Sequence, residues 1–200
     1  MRIGLAAIIA VLPVVLLSVS WSADFDKGQD AYSSGDYETA IAEWQVLADE
    51  GHAGAQFGMG LLYANGFGVP LDDNLALKWY GLAAGQNHAE AQANLGVMNA
   101  NGWGVPQSDA EAFRWYTLAA EQGIVSAQIG IAKMYFNGFG AEQNIVLSHK
   151  WFSIASELGD FNAGSKRDDL AVKMSPEQIT EATDLAAAWM ESFATLHANQ

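Results

Sequence analysis

The chain has four histidines, whose side chains could hold a metal ion or move a proton. They are His52, His88, His149 and His197. His52 and His88 lie 36 residues apart, one period of the repeat described below, so they occupy equivalent places on neighbouring structural units. Packed helices lie about 8–10 Å apart, whereas zinc binds nitrogen at about 2 Å. These two histidines therefore cannot share a zinc ion, and we expect them to be structural.

Two pairs of adjacent aspartates, Asp72-Asp73 and Asp168-Asp169, could serve as carboxylate catalysts or calcium ligands. Neither pair has the alternating spacing of a calcium-binding loop. Asp72 is better explained as a helix cap, and the pair at 168–169 as a solvated surface. The chain has no cysteine, no His-Glu-x-x-His, no serine elbow and no phosphate-binding loop. We predict no catalytic residue, no cofactor and no metal site.

A glycine-rich loop, residues 66–70, recurs at 102–106 and more loosely at 138–141. Two glycines flank an aromatic residue each time, namely Phe67, Trp103 and Phe139. The loop follows a predicted helix rather than a strand and lacks a third glycine, so it does not match a dinucleotide-binding site. We expect the aromatic side chain to fill the gap between adjacent repeats.

The same residues recur every 36 positions through most of the chain. Ala55-Gln56 recurs at 91–92 and 127–128, Asn65-Gly66 at 101–102 and 137–138, and Trp79 at 115 and 151. Such a period is typical of solenoids, whose units bury their apolar faces against one another. The sequence therefore predicts an all-α fold, an α/α solenoid of helix-turn-helix repeats with atypical terminal caps.

Each repeat is predicted to contain two helices. In the first helix, the residues at helical spacing that should face the core are Ala55, Met59 and Leu62, then Ala91, Leu95 and Met98, then Ala127, Ile131 and Met134. Gly60, Gly96 and Ala132 share one position, where a small side chain lets a neighbouring helix approach closely. The second helix should begin after the caps Asp36, Asp72, Ser108 and Asn144 and carry the aromatics Trp44, Tyr80, Tyr116 and Phe152.

After residue 160 the period fades. Residues 161–172 are predicted to form one further helix, and Ser175-Pro176 to begin a last one. The buried stripe of that last helix is predicted to be Ile179, Ala182, Leu185, Ala186, Trp189, Met190 and Phe193. These two helices would cover the C-terminal end of the solenoid.

The N-terminal segment indicates export from the cytoplasm. Arg2 precedes an uncharged apolar run over residues 3–17, and serines follow at 18, 20 and 22, which is typical of a secretory signal peptide. We predict a signal peptide over residues 1–22, a mature chain that begins near Ala23, and a secreted, periplasmic protein. The alternative is an uncleaved membrane anchor, because a bilayer is spanned by about 20 residues.

The chain is strongly acidic, with 23 Asp and Glu residues against 9 Lys and Arg and a formal net charge of −14. Such a surface repels phosphate backbones, so neither nucleic acid nor anionic lipid is an expected partner. The negative charge could serve solubility alone or recruit a basic partner.

The repeat resembles the Sel-like (Sel-one-like, SLR) family, relatives of the tetratricopeptide repeat. The pattern that carries the resemblance is Ala-x-x-x-Leu-Gly-x-x-Tyr-x-x-Gly, a glycine-rich loop, Ala-x-x-Trp-aromatic and Ala-Ala-x-x-Gly. Residues 53–160 form three such repeats of 36 residues, 23–52 resemble a tetratricopeptide hairpin, and 161–200 are left as capping helices. Asn99 and Glu43 depart from the pattern, at a tyrosine and a tryptophan position. The resemblance implies a right-handed superhelix.

The resemblance also implies a non-enzymatic adaptor or scaffold for protein–protein interaction in the cell envelope. Its expected partner is another protein, through an amphipathic segment or the outer domain of a membrane sensor. Two alternatives stay open: a cell-wall or β-lactam hydrolase, which the absence of cysteine weakens, and a structural envelope protein. A membrane contact is expected only if the N-terminal segment is uncleaved.

In the related tetratricopeptide fold the first helices line the concave face. The residues one step round from the core stripe are therefore the expected partner-binding set. They are Phe57, Leu61 and Ala64 in one repeat, Ala93, Val97 and Ala100 in the next, and Ile129, Lys133 and Phe136 in the third. The set is largely apolar and suits an amphipathic segment with basic flanks. The alternative is that tight winding, or the C-terminal helix, already covers these residues.

Overall fold

The structure, a computed structural model, describes residues 23–198. This part of the chain forms ten α-helices and no strand, which confirms the predicted all-α solenoid. The helices are α1 Phe25–Ser34, α2 Tyr37–Asp49, α3 Ala53–Asn65, α4 Asp73–Gly85, α5 Ala89–Asn101, α6 Asp109–Glu121, α7 Val125–Asn137, α8 Ile145–Glu157, α9 Phe161–Ala171 and α10 Pro176–His197. The predicted signal peptide, residues 1–22, lies outside the described residues.

The helices α1 to α8 pack as four successive hairpins, and each second helix also packs against the first helix of the next unit. The four predicted caps Asp36, Asp72, Ser108 and Asn144 each accept a hydrogen bond from a backbone N–H in the first turn of a second helix. Each of these helices is followed by a residue with left-handed backbone, such as Gly51 or Asn87, which has a φ of 67°. Local chemistry thus sets where every second helix begins and ends.

The predicted core stripes are buried. Among first-helix residues, Met59, Leu62 and Ile131 are at most 1% exposed. The small residues of the second helices, Ala40, Ala76, Ala112 and Ser148, are completely buried. Burial of such periodic apolar faces between neighbouring units is what stabilises a solenoid.

In three of the four second helices a large aromatic ring, Trp44, Tyr80 or Tyr116, lies close to the backbone of a neighbouring first helix. A Cβ atom added to Gly58 would stand 2.5 Å from the Trp44 ring, and one added to Gly96 would stand 2.6 Å from the Tyr116 ring. Neither distance leaves room for a methyl group. Glycine is therefore required at these positions because of the ring opposite it, not because of the helix backbone.

Buried glutamines at one position of the first helices link successive repeats. Gln92 Nε2 donates to the carbonyl of Ala84 at 3.4 Å and to Asn87 Oδ1 at 3.2 Å, and Gln92 Oε1 accepts from Gln122 Nε2 at 2.7 Å. Gln56 makes the matching bonds one repeat earlier, to the Ala48 carbonyl and from Gln86. The pattern satisfies a buried polar side chain at both of its ends.

The pattern breaks in the third repeat. Gln128 is completely buried, and its Nε2 donates to the Ala120 carbonyl at 3.3 Å. Leu158 stands where the earlier repeats have a glutamine, so Gln128 Oε1 accepts no hydrogen bond from the protein within residues 23–198. Gln128 is therefore less well satisfied than Gln92.

The last helix, α10, packs chiefly along α8 rather than against α9. Trp189 meets Trp151 edge to face at 5.8 Å, and its Nε1 donates to a Glu121 carboxylate oxygen at 2.7 Å. Phe193 lies so close to the chain that a Cβ at Gly123 would stand 2.5 Å from its ring. The helix therefore covers the outer side of the third repeat.

An apolar position on the outer side of the second helices explains this docking. Val46, Leu82 and Leu118 occupy it and are 49%, 44% and 41% exposed, whereas Ile154, under α10, is completely buried. The helix thus removes from water an apolar side chain whose counterparts stay exposed. The predicted stripe of α10 was wrong at Leu185, which is 37% exposed.

The predicted role of the loop aromatics is right in one loop and wrong in two. Phe67 stacks on Tyr37 with ring centres 4.7 Å apart, whereas Trp103 and Phe139 are 49% and 52% exposed. One period after Tyr37 the chain has Asp73. A carboxylate offers no apolar surface, so the later loop aromatics stay at the surface.

Trp115 is also less buried than its counterparts. Trp79 and Trp151 are 6% and 3% exposed, whereas Trp115 is half-buried and has the Arg114 guanidinium stacked on its ring, 3.9 Å from the ring centre. The arginine thus shields part of the exposed face of this tryptophan.

Gly96→Ala should lower the free energy of unfolding by about 1–3 kcal/mol, because the new methyl group must displace the Tyr116 ring. Gly81 is the matched control, since it is exposed in α4 and a Cβ there would meet no atom within 4 Å. Gly81→Ala should raise the free energy of unfolding by about 0.5–1 kcal/mol, because alanine is the better helix former. Urea denaturation followed by circular dichroism measures both, and a neutral Gly96→Ala would contradict the close contact.

Gln92→Leu should cost about 1–3 kcal/mol of unfolding free energy, because it removes three hydrogen bonds: to the Ala84 carbonyl, to Asn87 Oδ1 and from Gln122 Nε2. Gln128→Leu removes only one hydrogen bond and should cost less than about 1 kcal/mol. Urea denaturation of the two variants side by side tests the difference. Equal losses would show that the hydrogen bond from Gln122 contributes nothing.

Candidate functional site

The exposed side of the first helices contains three recesses, each with a second-helix aromatic on its wall. We call this surface the first-helix face; it consists of the exposed sides of α1, α3, α5, α7 and α9. The recesses lie between α1 and α3, between α3 and α5, and between α7 and α9, with Trp44, Tyr80 and Phe152 respectively. The repeated contact of ring and first helix thus also shapes a row of recesses.

The first recess, between α1 and α3, has a volume of about 240 Å³. Phe25, Tyr32, Phe57 and Leu61 contribute to its wall, and none of its lining residues carries a formal charge at neutral pH. Burial and the neighbouring Tyr37 raise the pKa of Tyr32, so its hydroxyl stays protonated. The recess suits an apolar side chain.

The second recess, between α3 and α5, has a volume of about 330 Å³. Leu61, Ala64 and Val97 line it, together with the loop residue Trp103 and the single charged residue Asp73. Because Trp103 is half-exposed, its indole is available to a ligand in the recess. Exposed tryptophans of this kind are enriched at protein interfaces.

The third recess, between α7 and α9, has a volume of about 320 Å³ and a different character. Phe136 and Leu170 supply apolar wall, and three lysines surround them. The lysines are Lys133, Lys166 and Lys173. Asp169 is the one acidic residue of the lining, so positive side chains outnumber negative ones here.

Six of the nine predicted partner-binding residues line these recesses. They are Phe57, Leu61, Ala64, Val97, Lys133 and Phe136. The structure brings Leu61, Ala64 and Val97 together in one recess, and Lys133 and Phe136 together in another. The C-terminal helix packs on α8 and leaves these recesses uncovered.

The other three residues of the set need correction; one of them, Ala100, is half-buried and lines none of the recesses. Ala93 is only 7% exposed, packed with the main apolar cluster, so it offers a partner almost no surface. Ile129 is half-buried against the same cluster and lines none of the three recesses. Both positions turn inward because α5 and α7 pack against each other here.

Sequence reasoning missed three residues of the first-helix face. Trp103 was expected to be packed away, and Lys166 and Lys173 fell in a segment interpreted only as a cap. One indication was available: Lys166 lies one period after Gly130, so α9 continues the register of the first helices beyond the recognisable repeats.

Three of the histidines, His52, His88 and His149, have structural surroundings. His52 Nδ1 accepts a hydrogen bond from the Ala55 N–H at 3.1 Å, and His88 stacks on Phe57 with ring centres 4.7 Å apart. Within residues 23–198 no group of three or more His, Cys, Asp or Glu side chains could hold a metal ion. Burial lowers the pKa of His88 and of His149, so both rings favour the neutral form.

The acidic pairs also have structural partners. Asp72 caps α4 by accepting from the N–H groups of Asn74 and Leu75. Asp168 is exposed and accepts from the Arg167 guanidinium, and Asp169 lies 3.7 Å from the Lys166 ammonium. Across residues 23–198, no helix is both long enough and apolar enough to cross a membrane.

The chain is similar to known repeat proteins. The family model described as Sel1 repeat matches residues 53–88, 89–124 and 125–160. A crystal structure of a Sel1 repeat protein from Oxalobacter formigenes matches with a TM-score of 0.60 and 33% identity, over 65% of this chain and 98% of that one. A protective antigen of uropathogenic Escherichia coli with an SLR fold matches over 86% of this chain and 45% of its own, with a TM-score of 0.53 and 24% identity.

One curated relative is a negative regulator of exopolysaccharide production from Rhizobium leguminosarum bv. viciae. It is 38% identical over 56 residues, which are 28% of this chain. The match spans 21% of the relative's own length. The similarity therefore concerns a short stretch rather than the whole regulator.

The buried His149 should make the fold sensitive to mild acid. Its pKa is lowered by burial and by Arg167, so the unfolded chain takes up a proton at a higher pH than the folded chain does. The free energy of unfolding should fall as pH drops through about 6.5, the ordinary histidine value. Urea denaturation between pH 8 and 5.5 should show a shallower fall in His149→Gln, and identical slopes would contradict this assignment.

Proposed function

This chain belongs to the Sel1 repeat family, and we propose that it is a non-catalytic adaptor. It would bind a segment of another protein along its first-helix face. Sel1 repeat proteins mediate protein–protein interactions. The observation that carries the proposal is the row of three recesses, each between two first helices and each with an aromatic wall. An apolar groove with anchor pockets suits a helical or extended peptide segment.

The composition of the face supports a protein ligand. Its first recess has no charged lining residue, and its second has one, Asp73, beside the polar residues Asn65 and Asn94. Trp103 adds a half-exposed indole at the second recess. Aromatic anchors in concave, largely apolar surroundings are where binding energy concentrates in protein interfaces. The contact would depend on apolar side chains of the partner inserted into successive recesses.

The biological setting is the cell envelope, where the adaptor would regulate a membrane sensor or an envelope complex. Two observations support this part of the proposal. The N-terminal sequence has the composition of a signal peptide over residues 1–22. The short similarity to a regulator of exopolysaccharide production adds a relative with a regulatory role.

Catalysis receives no support from the groups that could perform it. Asp72 caps a helix, and Asp168 and Asp169 form exposed ion pairs. His52 also caps a helix, and His88 stacks on Phe57. The Sel1 repeat fold is typically a non-catalytic scaffold for protein interaction. A binding function therefore requires fewer assumptions than a hydrolase.

The test compares two versions of the full chain, each expressed in its natural host with one photo-crosslinking amino acid. One version has it at Val97 in the second recess, and the other at Leu118 on the outer side of α6. Leu118 is the matched control because it is an exposed aliphatic residue outside the first-helix face. We expect a discrete adduct with one other protein from position 97 and none from position 118.

A second variant pair checks that the adduct reflects binding. Leu61→Glu should abolish the adduct from position 97, because it places a carboxylate in the wall shared by two recesses, whereas Leu82→Glu on the outer side should leave it unchanged. Unchanged helical circular dichroism is required of both variants. Adducts from position 118 alone, or insensitivity to Leu61→Glu, would refute the proposed face.

A further inference from the structure

The third recess concentrates positive charge in an acidic protein. The chain has only 9 lysines and arginines against 23 aspartates and glutamates, and three of those nine basic residues line this one recess. The three are Lys133, Lys166 and Lys173, which lie on or just after α7 and α9. The recess therefore has a local excess of positive charge on a chain whose net charge is negative.

The positive charge of the recess is only weakly compensated. Lys166 lies 3.7 Å from Asp169, and both side chains are more than 60% exposed, so this ion pair contributes little. Among the described residues, Lys133 and Lys173 form no ion pair with a carboxylate. Two ammonium groups therefore remain available to negative groups of a ligand.

Apolar surface lies between these ammonium groups. Phe136 is 37% exposed, and Lys173 Nζ lies 5.5 Å from the centre of its ring. The buried residues Phe152 and Leu170 complete the apolar lining of the recess. A cavity of about 320 Å³ is at the lower end of the range found for ligand-binding pockets, about 300–1,000 Å³. It can take one large apolar side chain with charged groups held at its rim.

We infer that the third recess binds a segment of the partner protein in which one large apolar side chain is flanked by aspartate or glutamate residues. The apolar side chain would contact Phe136 and Leu170, and the flanking carboxylates would accept hydrogen bonds from Lys133 and Lys173. This inference rests on the proposed adaptor function and adds to it the chemistry of the ligand. It reverses the expectation that the partner carries basic flanks at this end of the face.

The charge of the whole chain decides between kinds of anionic ligand. A long polyanion such as nucleic acid would extend beyond the recess over a surface whose net charge is strongly negative. A short peptide segment brings only a few carboxylates, all within reach of the lysines. Lysine ammonium groups are compact point charges that can donate hydrogen bonds to carboxylates in several directions.

The test is a selection from a display library of random ten-residue peptides on the purified chain. Binders are counter-selected on Lys133→Gln/Lys173→Gln. We expect the enriched peptides to share one aromatic or leucine residue next to two or more acidic residues. Their affinity should fall at least about tenfold in the double variant, the loss expected when charge-assisted hydrogen bonds are removed. Raised salt should weaken the same peptides.

The control is Lys78→Gln/Arg114→Gln, which removes two basic side chains that lie over tryptophan rings on the second helices. It should leave the affinity of the selected peptides unchanged. All four substituted side chains are exposed, so both double variants should keep the wild-type helical circular dichroism.

Three outcomes would overturn the inference, and they differ in what they say about the adaptor function. Enriched peptides that are neutral or basic, or that ignore the Lys133→Gln/Lys173→Gln change, refute the acidic ligand while the adaptor proposal stands. Binding of phosphatidylglycerol vesicles that this change abolishes, without acidic peptides, identifies the recess as a lipid site. Absence of any enriched peptide refutes the inference as well; the photo-crosslinking from Val97 then decides separately whether the first-helix face binds a protein.

Discussion

The contact between a second-helix aromatic ring and the backbone of a neighbouring first helix is the constraint on which the rest of this structure depends. Trp44, Tyr80 and Tyr116 each lie where a Cβ atom on the facing glycine would be within 2.6 Å of the ring. The contact fixes how close two units can stand. It also places a ring on the wall of the space between two first helices, so the same interaction that stacks the repeats shapes the recesses of the first-helix face.

The ends of the solenoid show how each missing neighbour is replaced. In the first unit Glu43 stands one period before Trp79, and its carboxylate pairs with Lys27 and accepts from the Asp24 N–H at 2.9 Å. These partners keep the pKa of Glu43 below its usual value, so the carboxylate stays charged. At the other end Trp189 covers Trp151. Terminal units of a solenoid need such substitutions because one of their faces meets water.

The repetitive part of the fold could be predicted from the sequence, because the period aligns positions with the same physical task. Helix caps, core stripes and turn glycines followed from this alignment. The docking of α10 on α8 did not, because Val46, Leu82 and Leu118 offer the same apolar position as Ile154, so the period does not indicate which of them α10 covers. Nor did the exposure of Trp103, which depends on Asp73 standing where the first unit has Tyr37. Both outcomes come from contacts between units, which a single repeat does not reveal.

The candidate site was predicted in part for the same reason. Residues such as Leu61 and Val97 follow from the helical period, but Lys166 and Lys173 belong to α9, where the repeat pattern is no longer recognisable. In the preceding first helix, α7, a Cβ atom added to Gly130 would lie 3.2 Å from the Tyr116 ring. One period later Lys166 occupies this position in α9 and lines the third recess with Phe152. In α5 the same position is Asn94, so the repeat does not fix the residue type there. Lysines on α7 and on or just after α9 bring positive charge to this end of the first-helix face. An acidic solenoid can thereby repel polyanions over most of its surface, because charges act over a Debye length of about 8–10 Å, and still attract carboxylates locally.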